Sequence, residues 1–274
     1  MSPLLAIPPA VLLSFGIEES AVPLAGGQGE SFRAGDLVLK PAPNEGETTW
    51  ASELFATLDG PGFRVPRPAR ATDGRWVVEG WAASQFIEGE HAGRNGGRWP
   101  ETIAACEAFH AAIRGIPRTA FLDARTDPWS VADRMAWGEL PLEMLPAFAE
   151  PIQRLAALLE PLDLPSQVVH GDFTANVLFV DGLPPGLIDF SPYWRPAGFA
   201  VAVIVADALS WGGAEASIFD LTVHIPQFKH LLVRAELRRV LELDQHTRRG
   251  GTRQVAEVPH HLRTVELIEQ MPPT

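Results

Sequence analysis

The chain has 274 residues, enough for one large domain or two coupled lobes, and its 46% apolar and 20% charged residues allow a sizeable core. A formal charge of −12 argues against nucleic acid or an anionic membrane as the main partner, and leaves room for a cationic or neutral substrate. The single cysteine, Cys106, cannot close an internal disulfide, and the longest apolar run, residues 197–206, is too short to span a bilayer, so a cytoplasmic location is expected.

The N-terminal stretch MSPLLAIPPAVLLSFG lacks a basic segment and is broken by prolines, which makes it a poor signal peptide. It predicts a short helix over 9–15. A first strand over 21–24 runs into the glycine-rich turn AGGQGESF, with Gly26, Gly27 and Gly29 placed where backbone N–H groups could approach phosphate oxygens. No GK[ST] follows, so this is not a Walker A loop. The strand over 37–39 ends on Lys40, one of only two lysines in a chain that otherwise uses arginine. That scarcity suggests a position where a compact ammonium is required, although a GC-rich genome would give the same bias.

Thr48 is expected to cap a helix running to Leu58, with Trp50, Leu54, Phe55 and Leu58 on one face and Glu53 off its centre. Glu53 reads either as a solvated residue or as an ion-pair partner of Lys40. A hairpin is expected from 67–72 and 75–79 around Asp73-Gly74, then a strand over 81–87. Helices are expected over 101–114, 128–137 and 142–160. His110, on the first of them, is read as a packed helix histidine.

The stretch QVVHGDFTANVLFVDGLPPGLIDFSPYWRP, residues 167–196, interrupts the helices. Two apolar runs, 177–180 and 186–188, flank the turn signal Asp181-Gly182 and read as hairpin arms. His170, Asp172 and Asn176 precede the first arm, and Asp189 follows the second. Folding the hairpin brings its outer ends together, so two carboxylates and an amide oxygen form a hard-oxygen site suited to Mg²⁺. A further carboxylate beside such a site can accept a proton from a hydroxyl. Each part also has a plainer reading, as a turn cap or a strand-end aspartate. Helices are expected again over 199–211, 216–223, 227–243 and 259–270.

The order of these parts resembles the protein-kinase-like fold: a glycine loop, a strand-ending Lys40, a helix with Glu53, a hinge, then HGD, Asn176 and the Asp189-Phe190 pair after a hairpin. The HGD form and helical second half are most similar to the aminoglycoside phosphotransferase and choline kinase branch, over about residues 20–211. The resemblance implies an α+β, bilobal fold with a small antiparallel-sheet lobe (1–87) and a largely helical lobe (88–274) carrying the catalytic hairpin and acceptor site. It implies an ATP- and Mg²⁺-dependent O-phosphotransferase acting on a small hydroxyl compound, such as an amino sugar or amino alcohol. A non-catalytic nucleotide-binding module of the same fold is the alternative.

Carried over residue by residue, Asp172 would be the catalytic base. Asn176 and Asp189 would hold Mg²⁺. Gly26, Gly27 and Gly29 would cover the ATP phosphates, and Lys40 would bind them and pair with Glu53. Gln85 and Ile87 would lie in the hinge that meets adenine, and His170 would be structural. Only three residues separate Asp172 from Asn176, one fewer than the family spacing. The family's loop-buttressing aspartate has no simple counterpart, because Asp207 comes too late. Trp194, Arg195, Asp207 and Trp211 are candidates to line the acceptor pocket. No long activation loop follows Asp189, which favours a small molecule over a protein as acceptor.

Overall fold

The computed structural model describes residues 6–24, 30–92, 97–251 and 254–272. The chain divides into two units, Met1–Glu90 with Leu178–Ile188, and His91–Val177 with Asp189–Thr274. The hairpin arms expected in the helical part therefore group with the first unit.

The elements run α1 (Pro9–Ser14), β1 (Val22–Pro23), β2 (Phe32–Ala34), β3 (Leu37–Pro41), α2 (Glu45–Thr57), β4 (Pro68–Ala69), β5 (Val77–Val78), β6 (Trp81–Gln85) and β7 (Glu90–His91). There follow α3 (Trp99–Ala112), α4 (Phe121–Ala124), α5 (Pro128–Ala136), α6 (Ala149–Ala157), β8 (Ser166–His170), β9 (Val177–Phe179), β10 (Gly186–Leu187), β11 (Pro192–Pro196), α7 (Ala197–Ser210), α8 (Phe228–Arg248) and α9 (Val258–Gln270).

In the first unit an antiparallel sheet has the order β1-β2-β3-β6-β4, with β5 also on β6. One face buries Val11 of α1 and Phe15, just after it, against Phe32, Leu39, Val78 and Trp81. Strand side chains alternate, so Leu39 in this core puts Lys40 on the opposite face. Asn44, not Thr48, caps α2: its Oδ1 accepts the Glu47 N–H at 3.1 Å.

The hairpin expected around Asp73-Gly74 is also different. A turn forms there, with Gly74 N–H bonded to Ala71 O at 2.8 Å, but β4 and β5 do not pair with each other. Both pair with β6, β4 through Ala69↔Ala83 and β5 through Val78↔Trp81. The tight hairpin is β5–β6, whose loop residues Glu79 and Gly80 both have positive φ, 48° and 76°, as a type I′ turn requires. The Asp181-Gly182 turn stands as expected, closed by Leu183 N–H on Val180 O at 3.2 Å. Arg64 ties this hairpin to the rest of the unit, its Nε donating to Pro184 O at 2.7 Å and its Nη2 to Glu88 O at 3.0 Å.

In the second unit α7 is buried along almost its whole length, and α3, α8 and α9 pack on it. The helix expected over 142–160 is shorter: Pro146 opens a 3-10 turn and the α-helix starts at Ala149, because proline suits a first turn and not a helix interior. The helix expected over 216–223 is instead a 3-10 segment, Ala216–Thr222. Ser210, Glu236, His261 and Thr264 form a buried polar knot joining α7, α8 and α9, with His261 Nδ1 at 2.6 Å from Glu236 Oε1 and Ser210 Oγ at 2.8 Å from Thr264 Oγ1.

His110 does more than pack. Its Nδ1 donates to Cys106 O at 2.6 Å, which leaves Nε2 to accept the His170 N–H at 3.0 Å. Gln167 Nε2 donates to the His110 carbonyl at 2.9 Å. α3 thus fixes both ends of β8. Burial pushes the His110 pKa down to about 3, so the neutral ring that this pattern needs persists in the folded state. The unfolded chain takes up the proton near 6.5, so acid favours unfolding between that value and the folded one. Unfolding free energy should fall by about 1.4 kcal/mol per pH unit on this account. Urea titrations between pH 6.5 and 5 check it: a His110→Gln variant should show a slope shallower by one proton, and equal slopes would refute the assignment.

Candidate active site

The second unit builds its site on the β8–β11 ribbon. Pro192 pairs with His170 and Pro196 with Ser166, so the end of β11 near Asp189 lies beside the HGD loop. Gly171 N–H donates to Ser191 O at 2.9 Å. The His170 ring is buried and its Nδ1 accepts the backbone N–H of Asp172 at 3.3 Å and of Ser191 at 3.4 Å. His170 is therefore a structural residue that holds the two strand ends together, as expected from sequence. Phe109, Phe173 and Phe190 surround it, with ring centroids 6.4, 5.3 and 5.5 Å away.

Gly171 has no room for a side chain. A methyl group there would lie 2.6 Å from Tyr193 Cε2 and 2.9 Å from Arg238 Nη1. Any substitution must displace a buried ring or a buried guanidinium.

Asp172 follows with its side chain 43% exposed. Its Oδ1 accepts from Arg239 Nη2 at 2.9 Å. Burial acts to raise its pKa, but the charge and hydrogen bond of Arg239 outweigh this and hold the carboxyl below its usual range. A 3-10 turn, Thr174–Asn176, absorbs the short loop. Asn176 Nδ2 donates to Asp172 O at 2.7 Å and is 3.3 Å from Asp172 Oδ2. With the amide nitrogen so used, the Asn176 oxygen remains to serve as a ligand. Asp189 is exposed and sits in left-handed backbone, φ 52°. An amide oxygen and one carboxylate fit a hard divalent cation that takes its other oxygens from phosphates and water. Among the described residues no three His, Cys, Asp or Glu side chains cluster as a self-sufficient metal cage.

Sequence reasoning missed Arg239. It is buried on α8, its Nε and Nη2 each 2.7 Å from an oxygen of Asp207 and its Nη1 2.9 Å from Glu242 Oε2. Asp207 is thus buried in an ion pair, and burial pushes its pKa above the usual range. Arg195 is likewise sequestered, its Nη2 2.6 Å from Asp133 Oδ2 and its Nη1 2.6 Å from Glu139 Oε1. Trp211 bonds Glu257 Oε2 at 2.9 Å. Trp194 lines a mostly apolar cavity of about 600 Å³ with Ser166, Gln167 and Ile225, at the end of the ribbon remote from Asp172.

In the first unit Lys40 is half-buried on β3. Glu53 is exposed on α2. Gln85 N–H is used by Arg67 O and Phe86 N–H by Asp36 O, both at 2.8 Å. Those two N–H groups are therefore already engaged, and Ile87 is the next position along that segment. Gly26, Gly27 and Gly29 lie outside the described residues.

No curated protein matches the chain significantly in sequence. Solved structures do match in fold. Spectinomycin phosphotransferase APH(9)-Ia, in complex with ADP and spectinomycin, has a TM-score of 0.60 at 13% identity, over 95% of this chain and 96% of that one. A choline/ethanolamine kinase family protein from Mesorhizobium loti has a TM-score of 0.61 at 15% identity, over 98% and 93%. Amicoumacin kinase hAmiN, with AMP-PNP and Ca²⁺, has a TM-score of 0.58 at 12% identity, over 98% and 91%. The fold is protein-kinase-like, of the α+β class. The family model described as "Phosphotransferase enzyme family" matches residues 21–193, which hold the whole HGD loop and its hairpin, and the chain belongs to that family.

Proposed function

We propose that this phosphotransferase uses Mg²⁺ and ATP to phosphorylate a hydroxyl of a small molecule, with Asp172 as the base. The observation that carries this reading is the Asp172 carboxylate, partly exposed yet held ionised by Arg239, with Asn176 fixed beside it. An ionised carboxylate on a partly exposed side chain can orient a hydroxyl and accept its proton. The acceptor oxygen forms a bond to the γ-phosphorus, the bond from that phosphorus to the β,γ-bridging oxygen breaks, ADP leaves with the electron pair, and the acceptor proton passes to Asp172. Asn176 and Asp189 would hold the metal, which supplies neutralisation of phosphate charge. Lys40 would bind the phosphates, together with Gly26, Gly27 and Gly29. Ile87 would meet the base of the nucleotide.

The acceptor is a polar small molecule: one similar structure holds spectinomycin, and another is a choline/ethanolamine kinase family protein. The acidic chain suits a cationic amino sugar or amino alcohol.

Thermal stabilisation by ATP with and without Mg²⁺, then ADP release against amino sugars, amino alcohols and nucleosides, tests the reading. Mg²⁺-dependent stabilisation and acceptor-dependent ADP release are expected. Absence of Mg²⁺-dependent nucleotide binding would sink it, and binding without turnover on any acceptor would favour a non-catalytic module. Asp172→Asn should lower kcat by roughly 10²-fold or more while nucleotide affinity stays near that of the parent. Asp189→Ala should instead weaken Mg²⁺-dependent nucleotide stabilisation. Full turnover by Asp172→Asn would remove the base assignment, and unchanged Mg²⁺ dependence in Asp189→Ala would remove the metal assignment.

A further inference from the structure

We propose that α8 is the element that aims the catalytic loop, with Arg239 acting on Asp172 as a positioning residue for phosphoryl transfer. The inference rests on Asp172 being the base. Two consecutive arginines of α8 reach two consecutive residues of the loop. Arg238 Nη1 donates to Gly171 O at 2.8 Å, and Arg239 Nη2 donates to Asp172 Oδ1 at 2.9 Å. Neither guanidinium is loose. Arg238 Nε is 2.8 Å from Glu242 Oε1 and its guanidinium lies over the Tyr193 ring at 4.4 Å. Arg239 is gripped on two sides, by both oxygens of Asp207 from α7 and by Glu242 from its own helix.

The fork geometry makes this directional. A guanidinium is planar, and two bonds to Asp207 fix that plane. The remaining N–H of Nη2 then has one direction, toward Asp172 Oδ1. With Oδ1 held there and Asn176 Nδ2 3.3 Å from Oδ2, rotation of the carboxylate is restrained, and Oδ2, with only that long contact, is the oxygen that an incoming hydroxyl would meet. Holding the core requires only that Arg239 meet Asp207 and Glu242. The bond to Asp172 is the one that reaches a partly exposed side chain. Both arginines lie beyond residues 21–193, the span that the family model matches. Through Arg239, Asp207 braces the loop from a place in the sequence where it does not align as a buttress.

The full chain and three variants test this: Arg239→Lys, the pair Asp207→Asn with Arg239→Met, and Arg239→Lys in an Asp172→Asn background. Wild-type ADP release with a productive acceptor comes first, because its absence would fail the phosphotransferase reading itself. Given turnover, Arg239→Lys should melt near the wild type and bind Mg²⁺-ATP within about two-fold of it, while kcat falls roughly 10- to 100-fold, because an ammonium keeps the charge but not the fork. In the Asp172→Asn background the same change should cost nothing further, since the oxygen it aims is gone. The Asp207→Asn, Arg239→Met pair removes two mutually paired charges and leaves Glu242 with Arg238, so it carries the same kcat test where the lysine variant does not fold. Unchanged kcat in a folded variant, an equal loss in the Asp172→Asn background, or failure of both variants to fold would each overturn the proposal and assign the network to stability alone.

Discussion

The close approach of three elements at Gly171 is the constraint on which the second unit's site depends. Here the HGD loop packs against the Tyr193 ring of β11 and the Arg238 guanidinium of α8, which lie one over the other, with no space for a Cβ. Because the backbone is that close, the Gly171 carbonyl can reach Arg238, and the next residue, Asp172, falls within reach of Arg239. The His170 ring works from the other side, collecting the N–H groups of Asp172 and Ser191. A tight backbone passage thus converts two strand ends and one helix into a fixed direction for one carboxylate.

Such an arrangement sets charged groups where water cannot reach them. Asp207, Glu242, Arg238 and Arg239 are all buried, and desolvating each ion carries a penalty of several kcal/mol that pairing must offset. The hydrogen bonding is correspondingly dense, with Arg239 meeting three carboxylates and Glu242 meeting two arginines. A well-packed apolar replacement of comparable volume would often be as stable or more so. Stability is therefore a weak reason for this network. An apolar core could hold α7 against α8, but it could not reach out to orient Asp172.

Much of the architecture was legible because local chemistry and global fold agree. The apolar run of α7, the Asp181-Gly182 turn and the pattern ending at Lys40 each point to one structure. Where two local signals competed, the sequence misled. Asp73-Gly74 is a strong hairpin signal and does make a turn, yet the ladder forms across Glu79-Gly80, because β6 offers both β4 and β5 an edge. Pro146 lay inside an apolar periodicity that ran on through it, and the missing N–H set the helix start later. In the site, Asp172, Asn176 and His170 share one short segment, so their convergence could be read directly. Arg239 lies 67 residues from Asp172 along the chain, and on its helix it looks like one more cation in an Arg-rich stretch. Only packing separates it from Arg234 or Arg248.

The same contrast explains the missing buttress. A search by alignment asks for an aspartate at a given distance from the metal-binding segment, and Asp207 fails that test. The physical requirement is weaker: a negative charge must hold something that in turn holds the Asp172 carboxylate. An arginine reaches further than an aspartate and carries five donors in one plane, so interposing Arg239 lets the anchoring carboxylate sit deeper on α7 and later in the sequence. This has a structural cost. An aspartate bonded directly to the loop needs no other element, whereas Arg239 acts only when α7, α8 and the HGD loop are all packed. Orientation of the Asp172 carboxylate therefore depends on the whole helical unit, not on the loop's own sequence.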